Sequence, residues 1–344
     1  MKILRQVLGI DVALKELVVS LARLREDLVQ EVYASKTFAN NQKGFISLVS
    51  WVNKLADPGH RVQFVMEATG VYHEALAYFL SERSYDLSIV LPNKISNYFR
   101  TLDVKTINDF TSAEAIARFG LERKLDLWKK PDATLKKLKQ LCRERDQIVG
   151  ERTLVKNQLH AELSEAEPNS SSVLRLKKRI QFLNIQEKEV RQEIETIARS
   201  NNQLSKTIDT ITTIPGVGLL TAATVLAETN GFELIRNKRQ LASYAGLDIR
   251  EKQSGTSVKG KATISKRGNR YLRKAMYLPA LAAKRTDPRF KSVFIRIVEK
   301  HGIKMKGVVA IQRKLLEMIY TIFKTETPYQ KDYQKDPKKE KQLT

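Results

Sequence analysis

The sequence contains little cysteine or histidine and no long apolar run. Its single cysteine, Cys142, excludes an internal disulfide, and its four scattered histidines do not have the spacing of zinc ligands. No run of about 18 apolar residues is present to span a bilayer. The first residues also lack the apolar region and small-residue cleavage site of a signal peptide. We therefore expect a reduced, cytoplasmic protein that has no membrane partner.

Acidic side chains are scarce relative to basic ones. The 344 residues include 61 Lys and Arg but only 38 Asp and Glu, which gives a net charge of +23 at pH 7. The hydrophobic fraction is 42%, so the chain can bury the cores of two or more domains. A basic excess of this size indicates a polyanionic partner, and nucleic acid fits best because nothing favours a membrane.

The first 130 residues alternate between strand-like and helix-like patterns. Strands are predicted over Val7–Asp11, Glu16–Leu24, Gln30–Phe38, Arg61–Glu67 and Leu87–Leu91. Helices are predicted over Gln42–Leu55, Val71–Arg83 and Asn93–Leu102, the last opening just after Pro92. Three strands in a meander followed by alternating helix and strand is the order of an RNase H-like fold. We therefore expect an α/β domain with an RNase H-like fold over residues 1–130.

The rest of the chain reads as helical. Residues 131–208 form two long charged helices separated by a polar turn at Glu167–Ser172, which predicts a hairpin or coiled-coil arm, or else a helical spacer. Residues 209–326 form a mostly α-helical C-terminal domain, and we expect residues 327–344 to be a disordered tail. Helices in the C-terminal domain are predicted over Gln240–Leu247, capped by Gly246, and over Tyr271–Lys284, Phe290–Glu299 and Gly307–Phe323.

Two predicted strands of the α/β domain end in an acid, Asp11 and Glu67. In an RNase H-like sheet these strands are neighbours, so the carboxylates meet at one edge. Asp109, at the start of a predicted helix, is either a third acid of this cluster or the N-cap of that helix. Carboxylates this close need a cation between them, and Mg²⁺ suits oxygen ligands while leaving positions open for phosphate oxygens.

The stretch from Gln253 to Arg273 has the composition of a phosphate-binding loop. It contains three glycines, five Ser or Thr hydroxyls and the cations Lys259, Lys261, Lys266, Arg267, Arg270 and Arg273. Ser254, followed by the permissive Gly255, can serve as a nucleophile toward a phosphodiester. The alternative is a solvated basic loop in which Ser-Gly is only a turn.

Gly216 and Gly218 precede another predicted helix and are similar to the turn of a helix-hairpin-helix element. In such an element, loop amides at a helix N-terminus hold a backbone phosphate. The alternative is a tight turn that binds no ligand.

A set of short motifs occurs in one order along the chain. They are Gly9-Ile10-Asp11, Glu67-Ala68-Thr69-Gly70-Val71-Tyr72, Pro92-Asn93, Ile214-Pro215-Gly216-Val217-Gly218, Tyr244-Ala245-Gly246-Leu247, Ser254-Gly255 and Ile264-Ser265-Lys266-Arg267-Gly268 through Leu272-Arg273. This ordered set resembles the DEDD-type insertion-sequence transposases of the IS110 family, which are related to the pilin-gene invertases. The resemblance runs from about Val7 to about Glu326.

This resemblance implies a DNA recombinase with a RuvC-like domain, a coiled-coil arm and a C-terminal transposase domain. It implies that a structured bridge RNA, encoded by the element, guides the enzyme to donor and target DNA. It places metal ligands at Asp11, Glu67 and Asp109 and the nucleophile at Ser254. The fourth acid of the family is replaced by Ser112, so either Glu114 substitutes for it or three acids suffice. Strand exchange implies a dimer or tetramer assembled through the arms.

Two other functions remain open at this stage. One is a RuvC-type, metal-dependent nuclease in which Ser254 has no covalent role. The other is an inactive nucleic-acid-binding relic of a mobile element, which the missing fourth acid allows. Loss of covalent chemistry in Ser254→Ala and loss of cleavage in Asp11→Asn separate these alternatives.

Overall fold

The computed structural model describes residues 2–68, 70–102, 104–233, 235–250, 253–254, 258–259 and 263–331, with the backbone alone for 253, 254, 258 and 259. The chain divides into two compact units, Met1–Lys130 and Pro131–Thr344. Within the described residues, no helix combines the length and apolar character that crossing a membrane requires.

The first unit is built on a five-stranded sheet. Its strands are β1 (Ile3–Val12), β2 (Glu16–Arg25), β3 (Gln30–Ala39), β4 (Val62–Glu67) and β5 (Leu87–Val90). The strand order is β3-β2-β1-β4-β5; β1 to β3 form an antiparallel meander, while β4 is parallel to both β1 and β5. This confirms the RNase H-like order predicted from the sequence.

Helices cover both faces of this sheet. They are α1 (Gln42–Leu55), α2 (Glu74–Glu82), α3 (Pro92–Phe99) and α4 (Asp109–Glu122). Leu8, Ile10 and Met66 pack with α1 and α2 on one face, whereas Val7 and Val65 pack with α3 and α4 on the other. Because side chains alternate along a strand, odd-numbered residues of β1 and β4 face α4.

Two helices of the first unit begin where the sequence did not place them. The prediction for α2 from Val71 was wrong, because Gly70 has φ +55° and residues 70–73 form turns before the helix starts at Glu74. Helix α3 includes Pro92 in its first turn, where the missing N–H of proline costs nothing.

The second unit begins with a pair of 31-residue helices, α5 (Ala133–Leu163) and α6 (Ser170–Ser200), joined by residues 164–169. The turn was predicted over Glu167–Ser172, but Asn169 accepts hydrogen bonds from the Ser171 and Ser172 amides and so starts α6 at Ser170. Leu138 and Val155 of α5 pack in the same buried cluster as Leu183 and Ile194 of α6. Helices α5 and α6 therefore pack against each other along their buried faces.

Among the described residues, seven further helices follow in the second unit. They are α7 (Asn202–Thr212), α8 (Leu219–Thr229), α9 (Lys238–Tyr244), α10 (Arg270–Ala275), α11 (Tyr277–Thr286), α12 (Pro288–His301) and α13 (Lys304–Thr325). The described part of the stretch between α9 and α10 contains four two-residue strands: β6 (Ile249–Arg250), β7 (Gln253–Ser254), β8 (Val258–Lys259) and β9 (Thr263–Ile264). Buried Ile211, Leu226, Leu272, Ile311 and Ile319 belong to the core that these helices share.

The prediction of one helix over Tyr271–Lys284 was wrong. The chain breaks at Met276, which ends α10 and precedes α11. Pro279 lies in the first turn of α11, where a proline needs no hydrogen-bond partner, whereas in one long helix it would remove an internal bond. Helix α9 also ends earlier than predicted, at Tyr244, and Ala245 rather than Gly246 is its C-cap.

The prediction that the tail is disordered from residue 327 was wrong for its first residues. The Tyr329 amide donates to Thr213 Oγ1 at 2.9 Å, and the Tyr329 hydroxyl bonds the buried carboxylate of Asp287. The aromatic ring is thus held against the body of the unit. The remainder of the predicted tail, residues 332–344, lies outside the described residues.

Candidate active site

The parallel pairing of β1 with β4 brings Asp11 and Glu67 to the same edge of the sheet. Ile10 lies opposite Met66, and the two acids are the residues that follow this pair. Both are odd-numbered members of their strands, so alternation places both on the face that α4 covers. Each is partly buried. The geometry that the sequence predicted for these two carboxylates follows directly from this register.

Asp109 is the first residue of α4, but it is not the cap of that helix. Asn108 Oδ1 accepts the Thr111 amide at 2.9 Å, and Thr111 Oγ1 accepts the Asn108 amide at 2.9 Å. This reciprocal capping box satisfies the helix terminus without Asp109. The capping alternative for Asp109 was therefore wrong, and its carboxylate is exposed at the helix N-terminus.

Gly9 allows α4 to lie directly on β1. A Cβ at Gly9 would stand 2.2 Å from the Ala113 carbonyl oxygen and 2.3 Å from the Ala117 amide nitrogen. Ala113 follows Asp109 by about one helical turn, and Asp11 follows Gly9 by two residues on the same face. The sequence analysis missed this contact, although a glycine within an apolar strand is a signal of close backbone approach.

The pKa of Asp11 reports how these acids are arranged. The pKa of Asp11 is raised from 3.8 to about 6, chiefly by burial, with additions from the negative charges of Asp109 and then Glu67, while a hydrogen bond from the Val12 backbone opposes the rise. Asp109 and Glu67 are therefore each close enough to Asp11 to repel its charged form. Among the described residues, however, no three Asp, Glu, His or Cys side chains are grouped tightly enough to hold a metal ion.

The candidates for the fourth acid lie on opposite flanks of α4. With about 100° between residues, Ser112 and Glu114 point to either side of Ala113, which faces β1. Both side chains are partly buried. Asp109 projects within about 40° of the Ala113 direction and so shares the sheet-facing side of the helix.

The glycine turn before α8 contains two glycines with different surroundings. Gly216 has φ +85°, and a Cβ there would lie 2.7 Å from the Pro279 carbonyl oxygen of α11. Gly218 is the N-cap of α8, and a Cβ there would meet nothing within 4 Å. Packing therefore requires Gly216, whereas Gly218 opens the helix N-terminus to solvent.

The segment that carries Ser254 is a nested pair of short ladders. Ile249 pairs with Ile264, and beyond this pair Gln253–Ser254 runs antiparallel to Val258–Lys259. For Ser254 and Lys259 the backbone alone is described, and Gly255 and Lys261 lie outside the described residues.

Of the other predicted phosphate ligands, Lys266, Arg267 and Arg270 are exposed. Arg273 is not: it is partly buried and donates from Nη1 to the Ala245 carbonyl at 2.8 Å and to the Gly268 carbonyl at 3.1 Å. Arg273 therefore holds two neighbouring segments of chain together.

Two family models match the chain. Residues 8–168 match a model described as a DEDD transposase of the IS110 type, and residues 208–294 match one described as the IS116/IS110/IS902 transposase family. Together they span both the three acids and Ser254.

Curated relatives align over most of the chain. The pilin gene-inverting proteins of Moraxella bovis and Moraxella lacunata are each 28% identical over 305 residues, 88% of this chain and 93% of theirs. The transposase for insertion sequence element IS1111A of Coxiella burnetii is 30% identical over 144 residues, covering 40% of this chain and 37% of that protein.

Among solved structures, Thermus thermophilus RuvC in complex with a Holliday junction substrate matches with a TM-score of 0.26 and 10% identity, covering 34% of this chain and 97% of RuvC.

Proposed function

This chain belongs to the IS110 family of transposases and is a DNA transposase or recombinase, and from that premise we propose that it breaks and rejoins DNA with two separate sets of residues. The acids Asp11, Glu67 and Asp109 form one set. Ser254, in the C-terminal unit, forms the other. Each set alone is incomplete for strand transfer, and the reaction needs both at one phosphodiester.

The observation that carries this proposal is the parallel register of β1 with β4, which brings Asp11 and Glu67 to one edge of the sheet. In keeping with it, burial and the charges of Asp109 and Glu67 raise the pKa of Asp11 to about 6. Holding like charges together costs free energy unless a cation neutralises them. Asp11 and Glu67 at one sheet edge, with Asp109 of α4 nearby, would therefore gain from a divalent metal ion, although the described side chains are not grouped tightly enough to hold one without moving closer together.

The donor set fits Mg²⁺, which prefers carboxylate oxygens and leaves positions open for phosphate. Asp11, Glu67 and Asp109 would hold the ion, with Glu114 as the candidate fourth ligand. When bound, such an ion offsets the charge that develops on the scissile phosphate. Asp109 also lies at the N-terminus of α4, whose backbone dipole favours anions nearby.

Ser254 would act as the nucleophile. As its Oγ forms a bond to phosphorus, the bond from phosphorus to the leaving deoxyribose oxygen breaks. That oxygen takes up a proton, and the serine hydroxyl gives one up. The phosphoserine linkage keeps the energy of the broken bond available for rejoining. The position of Ser254 in the short ladder of β7 with β8, directly before Gly255 in the sequence, supports this role.

The C-terminal unit carries almost all of the basic excess, which favours it as the surface for nucleic acid. Residues 1–130 contain 18 Lys and Arg against 15 Asp and Glu, whereas residues 131–344 contain 43 against 23. Lys259, Lys261, Lys266, Arg267 and Arg270 would contact phosphates, which positions DNA without reading its sequence. The amide at Gly218 would add a further phosphate contact.

Target choice would fall to a structured guide RNA that base-pairs with donor and target DNA. Such a division of labour leaves the protein to recognise backbone shape and charge. It agrees with a basic surface dominated by phosphate-type contacts, and it requires the protein to bind RNA as well as DNA.

Self-association would use the arm. Leu174, Phe182 and Ile185 of α6 are each more than half exposed, and their spacing places them on one side of the helix. An exposed apolar stripe on an otherwise charged helix is typical of a helix–helix interface. A dimer or tetramer built this way would bring several copies of both residue sets to one DNA complex.

The test is DNA cleavage by purified protein with its RNA, with and without Mg²⁺. Asp11→Asn should abolish metal-dependent cleavage, and Ser254→Ala should abolish the covalent protein–DNA species. Lys15→Gln, a surface change in the turn between β1 and β2, is the matched control and should cleave normally. Metal-independent cleavage by Asp11→Asn would refute the role of the acids.

A metal-dependent nuclease without a serine step is the second candidate. It is favoured by the fact that all three acids lie within residues 1–130, so their arrangement needs nothing from the C-terminal unit. Undiminished strand transfer by Ser254→Ala would select this alternative.

A further inference from the structure

Glu228 is a buried charge in an unfavourable place. It lies in the last turn of α8, among apolar neighbours, and its side chain is 0% exposed. The C-terminal end of a helix carries partial negative charge, so both burial and the helix dipole oppose a carboxylate here. Specific partners must compensate this cost.

Those partners come from the arm and from the two ends of the Ser254 segment, the stretch from Tyr244 to Asn269 that joins α9 to α10. Arg143 of α5 donates from Nε to Oε1 at 2.6 Å and from a terminal nitrogen to Oε2 at 2.8 Å. Asn269 Nδ2 donates to Oε2 at 2.7 Å. The Tyr244 hydroxyl, at the end of α9, donates to the Glu228 backbone carbonyl at 2.9 Å. Glu228 thus joins α5, α8, α9 and the start of α10.

From Glu228, hydrogen bonds continue into the base of the Ser254 segment. The Asn269 amide donates to the Tyr244 carbonyl at 2.7 Å, which fixes the two ends of the segment side by side. The Lys266 amide then bonds the Gly246 carbonyl at 3.1 Å, and the Ser265 amide bonds the Asp248 carbonyl at 2.8 Å.

The ladder of β6 with β9 follows directly, and β7 with Ser254 lies beyond it. The approach at the base is close, since a Cβ at Gly268 would lie 2.5 Å from the Tyr244 carbonyl oxygen.

We propose that Glu228 is a positioning residue that ties the base of the Ser254 segment to the arm. This proposal rests on the proposed function of Ser254. Asn269 caps α10 with its Oδ1 and reaches Glu228 with its Nδ2, so one residue links the helix cap to the buried carboxylate. Arg143 of α5 is hydrogen-bonded to the same carboxylate, so a movement of α5 would displace it. The orientation of the arm is thereby coupled to the position of Ser254.

Stability alone is a poor explanation for this arrangement. Buried ion pairs contribute little net stability compared with well-packed apolar side chains of similar volume. An apolar residue at position 228 would suit α8, whose neighbours Val225, Leu226 and Ala227 are all buried. What a hydrophobic residue cannot supply is a directional link to both Arg143 and Asn269.

The test compares Glu228→Gln and Asn269→Ser with a matched control, Glu187→Gln. Serine retains the ability to cap α10 but is too short to reach Glu228. Glu187 is also a largely buried carboxylate with two arginine partners, Arg145 and Arg152, but its bonds stay within the arm. Amide hydrogen exchange is measured on the full-length proteins over residues 244–250 and 263–269. Covalent-complex formation and DNA affinity are measured separately.

Both test variants should exchange about tenfold faster in these two stretches and form the covalent species about 10- to 100-fold more slowly, since small displacements of a reacting group are costly. DNA affinity should change by less than about threefold, because the exposed cations remain. Glu187→Gln should leave exchange in both stretches as in wild type.

Unchanged exchange in folded Glu228→Gln or Asn269→Ser, or equal loosening in Glu187→Gln, would overturn the proposal. If Glu228→Gln does not fold, Asn269→Ser decides the question. Normal covalent chemistry in Ser254→Ala would instead remove the proposed nucleophile, while the exchange data would still test the link itself.

Discussion

Gly9 and Ala113 are in direct backbone contact, since a Cβ on Gly9 would lie 2.2 Å from the Ala113 carbonyl oxygen. Strand β1 carries Asp11 two residues later, and α4 carries Asp109 about one turn earlier. The spacing of these two acids is therefore set by how closely a helix approaches a strand. A single glycine makes that approach possible.

Gly9→Ala should separate α4 from β1 and weaken the acid cluster. Because both opposing atoms are backbone, the clash cannot be relieved by a side-chain rotation, and we expect a loss of about 3 kcal/mol or more in the free energy of unfolding. Urea denaturation measures this loss. Gly150→Ala is the control: Gly150 lies in α5 with nothing within 4 Å of its would-be Cβ, so alanine should stabilise by up to about 1 kcal/mol.

The raised pKa of Asp11 predicts that this residue destabilises the fold at neutral pH. The folded chain keeps the Asp11 proton up to about pH 6, whereas the unfolded chain loses it near pH 3.8. The contribution of Asp11 to the free energy of unfolding is therefore greatest below about pH 3.8 and falls as the pH rises from there to about 6. Asp11→Asn should raise the free energy of unfolding at pH 8 by about 1–2 kcal/mol, after allowance for solvent screening, and change it little at pH 4.

Thermal melts at the two pH values test this, with Asp209→Asn as a surface control. Asp209 pairs with Arg199 in an exposed ion pair, so its loss should matter little at either pH. Added Mg²⁺ should raise the melting temperature of the wild type and not that of Asp11→Asn. At each pH, the stability of Asp11→Asn is compared with that of the wild type. If the gain is no larger at pH 8 than at pH 4, the repulsion inferred for Asp11 is contradicted.

The sequence predicted the sheet order and the acids that end β1 and β4, because apolar strands followed by carboxylates are visible in one dimension. It did not predict how α4 sits on β1, which depends on the missing Cβ of Gly9. Nor did it identify Glu228. A carboxylate that follows Thr-Val-Leu-Ala in an apolar helix indicates a buried charge, which needs a partner to compensate it. Its partner Arg143 is 85 residues away, and such long-range pairing leaves no local pattern.

Two glycines of the turn before α8 should respond differently to alanine. Gly216→Ala adds strain at φ +85° and a contact of 2.7 Å with the Pro279 carbonyl, which should cost about 3 kcal/mol of stability.

In Gly218→Ala the added methyl group meets open space and should cost at most about 1 kcal/mol of stability. Its added methyl group should instead lower DNA affinity roughly tenfold by keeping phosphate from the α8 amides. Denaturation and DNA-binding titrations on both variants check this, and equal DNA affinity in Gly218→Ala and wild type would remove the phosphate site.

Arg267 and Arg273 should separate a DNA contact from a structural one. Arg267 is exposed and makes no ion pair with any carboxylate of the described residues, whereas Arg273 donates to the Ala245 and Gly268 carbonyls. Neutralising a phosphate ligand lowers the slope of log affinity against log salt by about 0.9. Arg267→Gln should therefore reduce that slope by about 0.9 without loss of stability. Arg273→Gln should keep the slope and lower the free energy of unfolding by about 1–2 kcal/mol, because two carbonyls lose their donor.

Salt titrations of DNA binding together with urea denaturation distinguish the two roles. If Arg273→Gln lowers the salt slope while its stability is unchanged, this arginine contacts DNA and the structural role assigned to it is wrong.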